Sequence, residues 1–123
     1  MKHLPLVFGI GIDIEEIDRF VELKDQPQVL KKFFTQNELD YCMKKKNFAQ
    51  HLAVRYAAKE AVYKALSAVP GAGLLAHHQI EVTRNRKGVP GILVHHKKIK
   101  DTQLQVSLSH SRSNAVAVCI RLT

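Results

Sequence analysis

Residues 50–66 run without a single Gly or Pro and are rich in Ala, Leu, Lys and Glu, until Pro70 and Gly71 break the pattern. Strong helix formers over such a span predict one long helix, and the rest of the chain has to be arranged around it. Residues 7–14 read as a strand, in which alternation puts Ile10, Ile12 and Ile14 on one face and Gly9, Gly11 and Asp13 on the other. On that reading the isoleucines enter the apolar layer and Asp13 does not point into it. The glycines, lacking Cβ, allow another backbone or a ligand to come close beside the acid.

Between strand and helix, Glu15-Glu16-Ile17-Asp18 is an acidic helix start leading into Arg19-Phe20-Val21-Glu22-Leu23, and Pro27 ends or redirects the chain. Lys31 to Phe34 leads to Thr35, which with Glu38 forms a Thr-Gln-Asn-Glu capping box ahead of a short helix that fades over residues 44–47. After the long helix, residues 79–83 and 91–95 read as strands joined around Asn85-Arg86-Lys87-Gly88, and residues 104–108 and 115–120 as a second pair across 109–114. Strand, helices and then four strands, without repeats, predict an α+β fold: one compact domain over residues 1–123, with an antiparallel sheet packed on the long helix.

The formal charge of +8, from nineteen Lys and Arg against eleven Asp and Glu, favours a polyanionic partner. The cations are scattered as Lys31-Lys32, Lys44-Lys45-Lys46, Arg84/Arg86/Lys87 and Lys97-Lys98/Lys100, which suits a folded basic face better than a nucleic-acid arm. Cys42 and Cys119 lie far apart among apolar or helical neighbours and read as buried free thiols of a reducing cytoplasm. The opening residues are apolar, but Asp13, Glu15 and Glu16 follow without a small-residue cleavage site, and no run is long enough to span a membrane.

Glu60 and Lys64 stand four residues apart on one face of the long helix, with Tyr56 and Tyr63 close to it. Taken alone, that spacing is an ordinary surface ion pair, and Asp13 at a strand end is an ordinary capping carboxylate. Three segments in order carry more: Gly9-Ile10-Gly11-Ile12-Asp13, then Arg55-Tyr56-Ala57-Ala58-Lys59-Glu60-Ala61-Val62-Tyr63-Lys64-Ala65, then Val106-Ser107-Leu108-Ser109-His110-Ser111. With Phe34-Thr35-Gln36-Asn37-Glu38-Leu39 and Gly88-Val89-Pro90 in support, the chain resembles the holo-acyl-carrier-protein synthases, the small trimeric branch of the 4′-phosphopantetheinyl transferases.

The resemblance implies transfer of the phosphopantetheine arm of coenzyme A to a serine of apo acyl carrier protein, with adenosine 3′,5′-bisphosphate leaving, in support of fatty acid biosynthesis. It implies that acids at Asp13 and Glu60 hold Mg²⁺ against the coenzyme's pyrophosphate; Mg²⁺ commonly takes one or two carboxylates plus substrate phosphates. Lys64 fits an electrostatic role toward the phosphates, and Glu60 is ranked as ligand ahead of general base. The family's histidine at the coenzyme phosphates falls on His110. Lys45, Arg55 and Lys59 are expected to add positive charge for the coenzyme, and Lys87, Gly88 and Pro90 to meet its nucleotide from a neighbouring subunit. Arg19, with Lys31 and Lys32, is expected to dock the acidic helix of the carrier protein.

Two departures from the family pattern stand out: residues 67–74 stand where relatives commonly have a short Gly-rich turn, and Val89 occupies a place where a basic residue is frequent. His77-His78 and His95-His96 read as surface histidines, since no Cys or acid stands at a zinc spacing. The competing reading, a non-enzymatic module binding RNA or another polyanion, accounts for the charge but not for Asp13, Glu60 or Ser109-His110, and no aromatic-studded RNA motif is present.

Overall fold

The computed structural model describes residues 6–97, 99 and 103–122. Residues 1–5, and Lys98 and Lys100 of the last basic group, lie outside the described residues. Strand β1 (Val7–Glu16) leads through a 3₁₀ segment (Ile17–Asp25) to helices α1 (Pro27–Phe33), α2 (Gln36–Cys42) and α3 (Phe48–Ala65). Strands β2 (Ile80–Arg84), β3 (Pro90–Val94), β4 (Leu104–His110) and β5 (Asn114–Leu122) follow. The α+β order is the one expected, but the strands form two antiparallel sheets, β1-β5-β4 and β2-β3.

Helix α3 lies against β1, β5 and β4 and is buried on most of its circumference. Its composition explains why two cores share it. Leu52, Ala53 and Val54 pack with Phe20, Leu30, Phe34 and Leu39, whereas Ala61, Val62 and Ala65 pack with Leu66, Ile80, Val82 and Val94. The small side chains also let β1 come close. A Cβ on Gly9 would lie 1.9 Å from the Ala65 carbonyl oxygen, so only glycine fits this contact.

That contact reverses the expected facing of β1. The face carrying Gly11, Asp13 and Glu15 is pressed on α3, while Ile10, Ile12 and Ile14 are 66%, 62% and 62% exposed. Apolar alternation correctly predicted a strand, but burial here is decided by which side lets the helix backbone approach.

The capping box is realised: Glu38 donates its backbone N–H to Thr35 Oγ1 at 3.2 Å, and Thr35 donates its own to Glu38 Oε1 at 2.8 Å. Pro27 redirects the chain, ending the 3₁₀ segment and occupying the first turn of α1, where its missing N–H costs nothing. The acidic segment after β1 is a 3₁₀ helix rather than an α-helix. Its first N–H, from Ile17, donates to the Ser113 carbonyl at 2.9 Å and so ties the end of β1 to the β4–β5 turn.

Candidate active site

Asp13 and Glu15 project from β1 toward α3, where Asp13 meets Lys64 and Glu15 feels the charge of Glu60. Asp13 Oδ1 lies 3.6 Å from Lys64 Nζ, and the ammonium also donates to the Ile12 carbonyl at 2.7 Å. The other oxygen, Asp13 Oδ2, is buried and has no hydrogen-bond partner. Glu15 accepts from Arg19 at 3.2 Å, yet its pKa is raised to about 7, chiefly by burial and then by Asp13, with Glu60 adding to the effect. Acids crowded in this way, one of them with an orphaned oxygen, form a seam short of positive charge.

Glu60 and Lys64 are not partners despite their spacing. Glu60 Oε1 instead accepts from His77 Nε2 at 2.9 Å. The His77 ring stacks on Tyr56 at 5.2 Å and meets Phe33 and Tyr63 edge-on, so this residue is no plain surface histidine. Tyr56 and Tyr63 do converge on the Glu60 face; burial, and after it the Glu60 carboxylate, pushes the Tyr56 phenol up to about 12. His95 is also engaged, through Glu81 Oε1 at 2.9 Å, although its side chain stays half-exposed.

Lys59 does not carry the role expected of it. It is 0% exposed, and its ammonium donates to Glu38 Oε1 at 2.7 Å, to the His77 carbonyl at 3.0 Å and to the Ile80 carbonyl. All three hydrogens are taken within the fold, so none is left for a coenzyme phosphate. Burial lowers its pKa, with the Glu38 carboxylate acting against that. One turn earlier, Arg55 is almost wholly buried but lines two clefts.

The smaller cleft, of about 130 Å³, is walled by Gln50, His51, Arg55, Arg84, Ser109 and His110. His110 ends β4 and meets the Gln50 amide at 3.1 Å. The larger cleft, of about 360 Å³, shares Arg55 and Arg84 and adds Tyr41, Glu81 and Thr83 among its walls. Lys45 and Arg55 both lie over the Tyr41 ring, at 4.7 Å and 4.6 Å from its centroid. Two of the expected cations are thereby gathered by one aromatic side chain.

Arg84, counted in the sequence only as one of a basic group, is the cation that shares both clefts with Arg55. It also donates to the Gly88 carbonyl at 2.8 Å and holds the turn bearing Lys87, Gly88 and Pro90. Asn85 Oδ1 accepts from the backbone of Lys87 and Val89, and Gly88 takes φ 80°, the left-handed value that favours glycine. Within this chain the turn is joined to Arg84 rather than to Asp13 or Glu60. Arg19 is 67% exposed at its side chain, and Lys31 and Lys32 are exposed at the end of α1.

The residues fit a hard divalent cation by chemistry, since Asp13 offers an unpartnered carboxylate oxygen and Glu60 a second carboxylate. Among the described residues, no group of three or more His, Cys, Asp or Glu side chains forms a ready-made metal cage. Two carboxylates completed by substrate phosphates is a set that Mg²⁺ commonly uses.

Fold and site together define a class: compact α+β proteins in which an acidic seam between a helix and a glycine-bearing strand lies in the same domain as cation-lined clefts. The family model for the 4′-phosphopantetheinyl transferase superfamily matches residues 9–119. A holo-[acyl-carrier-protein] synthase of Geobacter sulfurreducens is 39% identical over 126 residues, spanning 94% of this chain and 97% of that protein. Its counterpart in Chlamydia trachomatis is 42% identical over 120 residues, spanning 93% and 98%. Among solved structures, a holo-(acyl-carrier-protein) synthase from Bacillus anthracis in complex with CoA (3′,5′-ADP) superposes with a TM-score of 0.78 at 29% identity, covering 95% of this chain and 97% of that one. The chain belongs to the 4′-phosphopantetheinyl transferase superfamily, in its holo-[acyl-carrier-protein] synthase branch. Among the described residues, no helix is long and apolar enough to cross a membrane.

Proposed function

We propose that this protein moves 4′-phosphopantetheine from coenzyme A to a serine of apo acyl carrier protein, in the cytoplasm and in support of fatty acid biosynthesis. The serine oxygen bonds to the β-phosphorus of coenzyme A, the bridging P–O bond breaks, and adenosine 3′,5′-bisphosphate departs with the electron pair. The observation that carries the reading is Asp13 Oδ2, buried without a partner beside Lys64 in a chain of this family. An orphaned carboxylate oxygen is expensive unless a ligand completes it.

Asp13 and Glu60 would hold Mg²⁺, which when bound supplies charge neutralisation at the pyrophosphate oxygens. Lys64, pinned by the Ile12 carbonyl, presents a cation next to Asp13 for the same phosphates. Glu60 serves as ligand first and, as its second task, accepts the serine proton directly or through a water. Arg55, Lys45 and His110 line or flank the clefts available to the nucleotide end, while Arg19, Lys31 and Lys32 present an exposed basic surface to an acidic carrier.

The same proposal includes a homotrimer. The exposed isoleucines of β1 continue into Val7 and Leu6, both 57% exposed, along one edge of the three-stranded sheet. An apolar edge strand of this kind calls for cover. Lys87 and Gly88, joined to Arg84 and not to Asp13, fit a contribution across a subunit boundary.

The deciding experiment incubates the protein with apo acyl carrier protein, coenzyme A and Mg²⁺ and reads the phosphopantetheine mass increase. Mg²⁺-dependent modification is expected, with Asp13→Asn and Glu60→Gln as folded, inactive controls. No transfer to any cognate carrier would return the basic surface to the polyanion-binding alternative.

A further inference from the structure

His77 is held from two directions by adjacent residues of α3. Lys59, inside the core, donates to the His77 carbonyl at 3.0 Å. Glu60, at the site, accepts from the His77 imidazole at 2.9 Å. The ring between these attachments is confined by Tyr56, parallel to it within 7°, and by the edge-on rings of Phe33 at 5.0 Å and Tyr63 at 5.1 Å. Tyr63 is itself fixed, through a hydrogen bond from its hydroxyl to the Leu75 carbonyl. Among the described residues, the hydrogen bond made by the imidazole is the one to Glu60.

We propose that His77 is a positioning residue for Glu60, whose hydrogen bond to one carboxylate oxygen sets the rotation of the whole carboxylate. A glutamate on a helix has three side-chain torsions to order, and ordering it only when ligand arrives subtracts from the binding free energy. His77 does that ordering in advance. A carboxylate only accepts, so the bridging hydrogen rests on Nε2 and the imidazole is the donor. Partners that orient a ligating carboxylate in this manner typically change metal affinity by about 10- to 100-fold when removed. The inference deepens the functional reading above and rests on Glu60 being part of the site.

Two substitutions separate the hydrogen bond from the packing. His77→Phe keeps a ring in the aromatic pocket and removes the donor; His77→Gln loses the ring and keeps an N–H. Mn²⁺ is titrated against each protein in the presence of coenzyme A, free Mn²⁺ being read by electron paramagnetic resonance, and transfer kinetics and thermal melts are recorded alongside. His77→Phe is expected to weaken Mn²⁺ binding and lower kcat by about tenfold with the carrier KM little changed, and His77→Gln to recover most of both. In a Glu60→Gln background, His77→Phe should weaken Mn²⁺ binding no further, because its effect passes through that carboxylate. Wild-type Mn²⁺ affinity and kcat in His77→Phe, or an additive loss in the double variant, overturns the role of His77. If His77→Phe does not fold, His77→Leu takes its place beside His77→Gln: Mn²⁺ binding about tenfold weaker in His77→Leu than in His77→Gln supports the role, and equal Mn²⁺ affinity in the two overturns it. Full activity in Glu60→Gln sinks the assignment of Glu60 itself, a different result from an active His77→Phe beside an inactive Glu60→Gln.

Discussion

Gly11 and Ala61 meet backbone to backbone: a Cβ placed on Gly11 would stand 2.0 Å from the Ala61 carbonyl oxygen and 2.7 Å from Lys64 Cβ. The contact sits one turn of α3 from Lys64 and two residues of β1 from Asp13, so the spacing of strand and helix also sets the spacing of the site. Gly11→Ala should push β1 outward, destabilising the fold by about 3 kcal/mol, the upper end for overpacking. Urea denaturation measures it, and a midpoint equal to that of the parent would show that the two backbones do not need this separation.

Lys59 and Glu38 form a pair that is buried on both sides, their side chains 0% and 1% exposed. Glu38 Oε2 also accepts from the Val82 N–H at 2.9 Å, so the pair joins α2, α3 and β2. Removing one member leaves the other charge uncompensated, and Glu38→Ala should cost about 3–5 kcal/mol. Lys59→Met should be equally damaging to stability, while in any molecule that remains folded coenzyme A affinity stays near the parent value. Denaturant melts and calorimetric coenzyme titration check the two halves separately; a selective loss of coenzyme binding in a stable Lys59→Met protein would restore the phosphate-binding role.

The isoleucine face of β1 yields a prediction about assembly. Ile12→Glu places a charge among Ile10 and Ile14 without touching the face that meets α3. Light scattering should show a smaller species than the trimer proposed for the parent, with circular dichroism unchanged. A trimeric Ile12→Glu protein would move the subunit contact elsewhere.

Arg19 is largely exposed but pairs with Glu15 at 3.2 Å, one turn back on the chain. If it also docks the carrier, Arg19→Glu should raise the apparent KM for acyl carrier protein at least about tenfold, equivalent to about 1.4 kcal/mol, and leave that for coenzyme A little altered. Added salt should weaken docking of the parent in the same direction. Steady-state kinetics decide it: an unchanged carrier KM leaves Arg19 only its Glu15 partner.

What could be read from the sequence follows the range of the forces involved. The Thr35–Glu38 capping box and the Gly- and Pro-free span of α3 are local, and both appear in the structure close to where the residues put them. The second task of Glu38, binding Lys59 across 21 positions of chain, is tertiary and leaves no trace in local spacing. The facing of β1 was misread for a related reason. Alternation tells which residues share a side; it does not tell which side meets the helix, and the isoleucines attract that assignment although the glycines win the contact. His77 had no local signal either, since its partners Phe33, Tyr56, Glu60 and Tyr63 all come from earlier helices.

Strand β1 has unlike neighbours on its two faces, and this makes it sensitive to length in a way that loops are not. Its side chains alternate with a period of two, so inserting or deleting a single residue between Gly9 and Asp13 would exchange the faces from that point on. The carboxylate would turn out to solvent and an isoleucine would be driven into the Ala61 backbone, so a change that alters no residue type would remove both the site and the helix contact together. The pairing with β5 is irregular between Val7 and Gly9, ahead of the glycines, and is unbroken from Gly9 to Glu16. Variation in chain length among relatives should therefore gather upstream of Gly9 and spare the segment from Gly9 to Asp13.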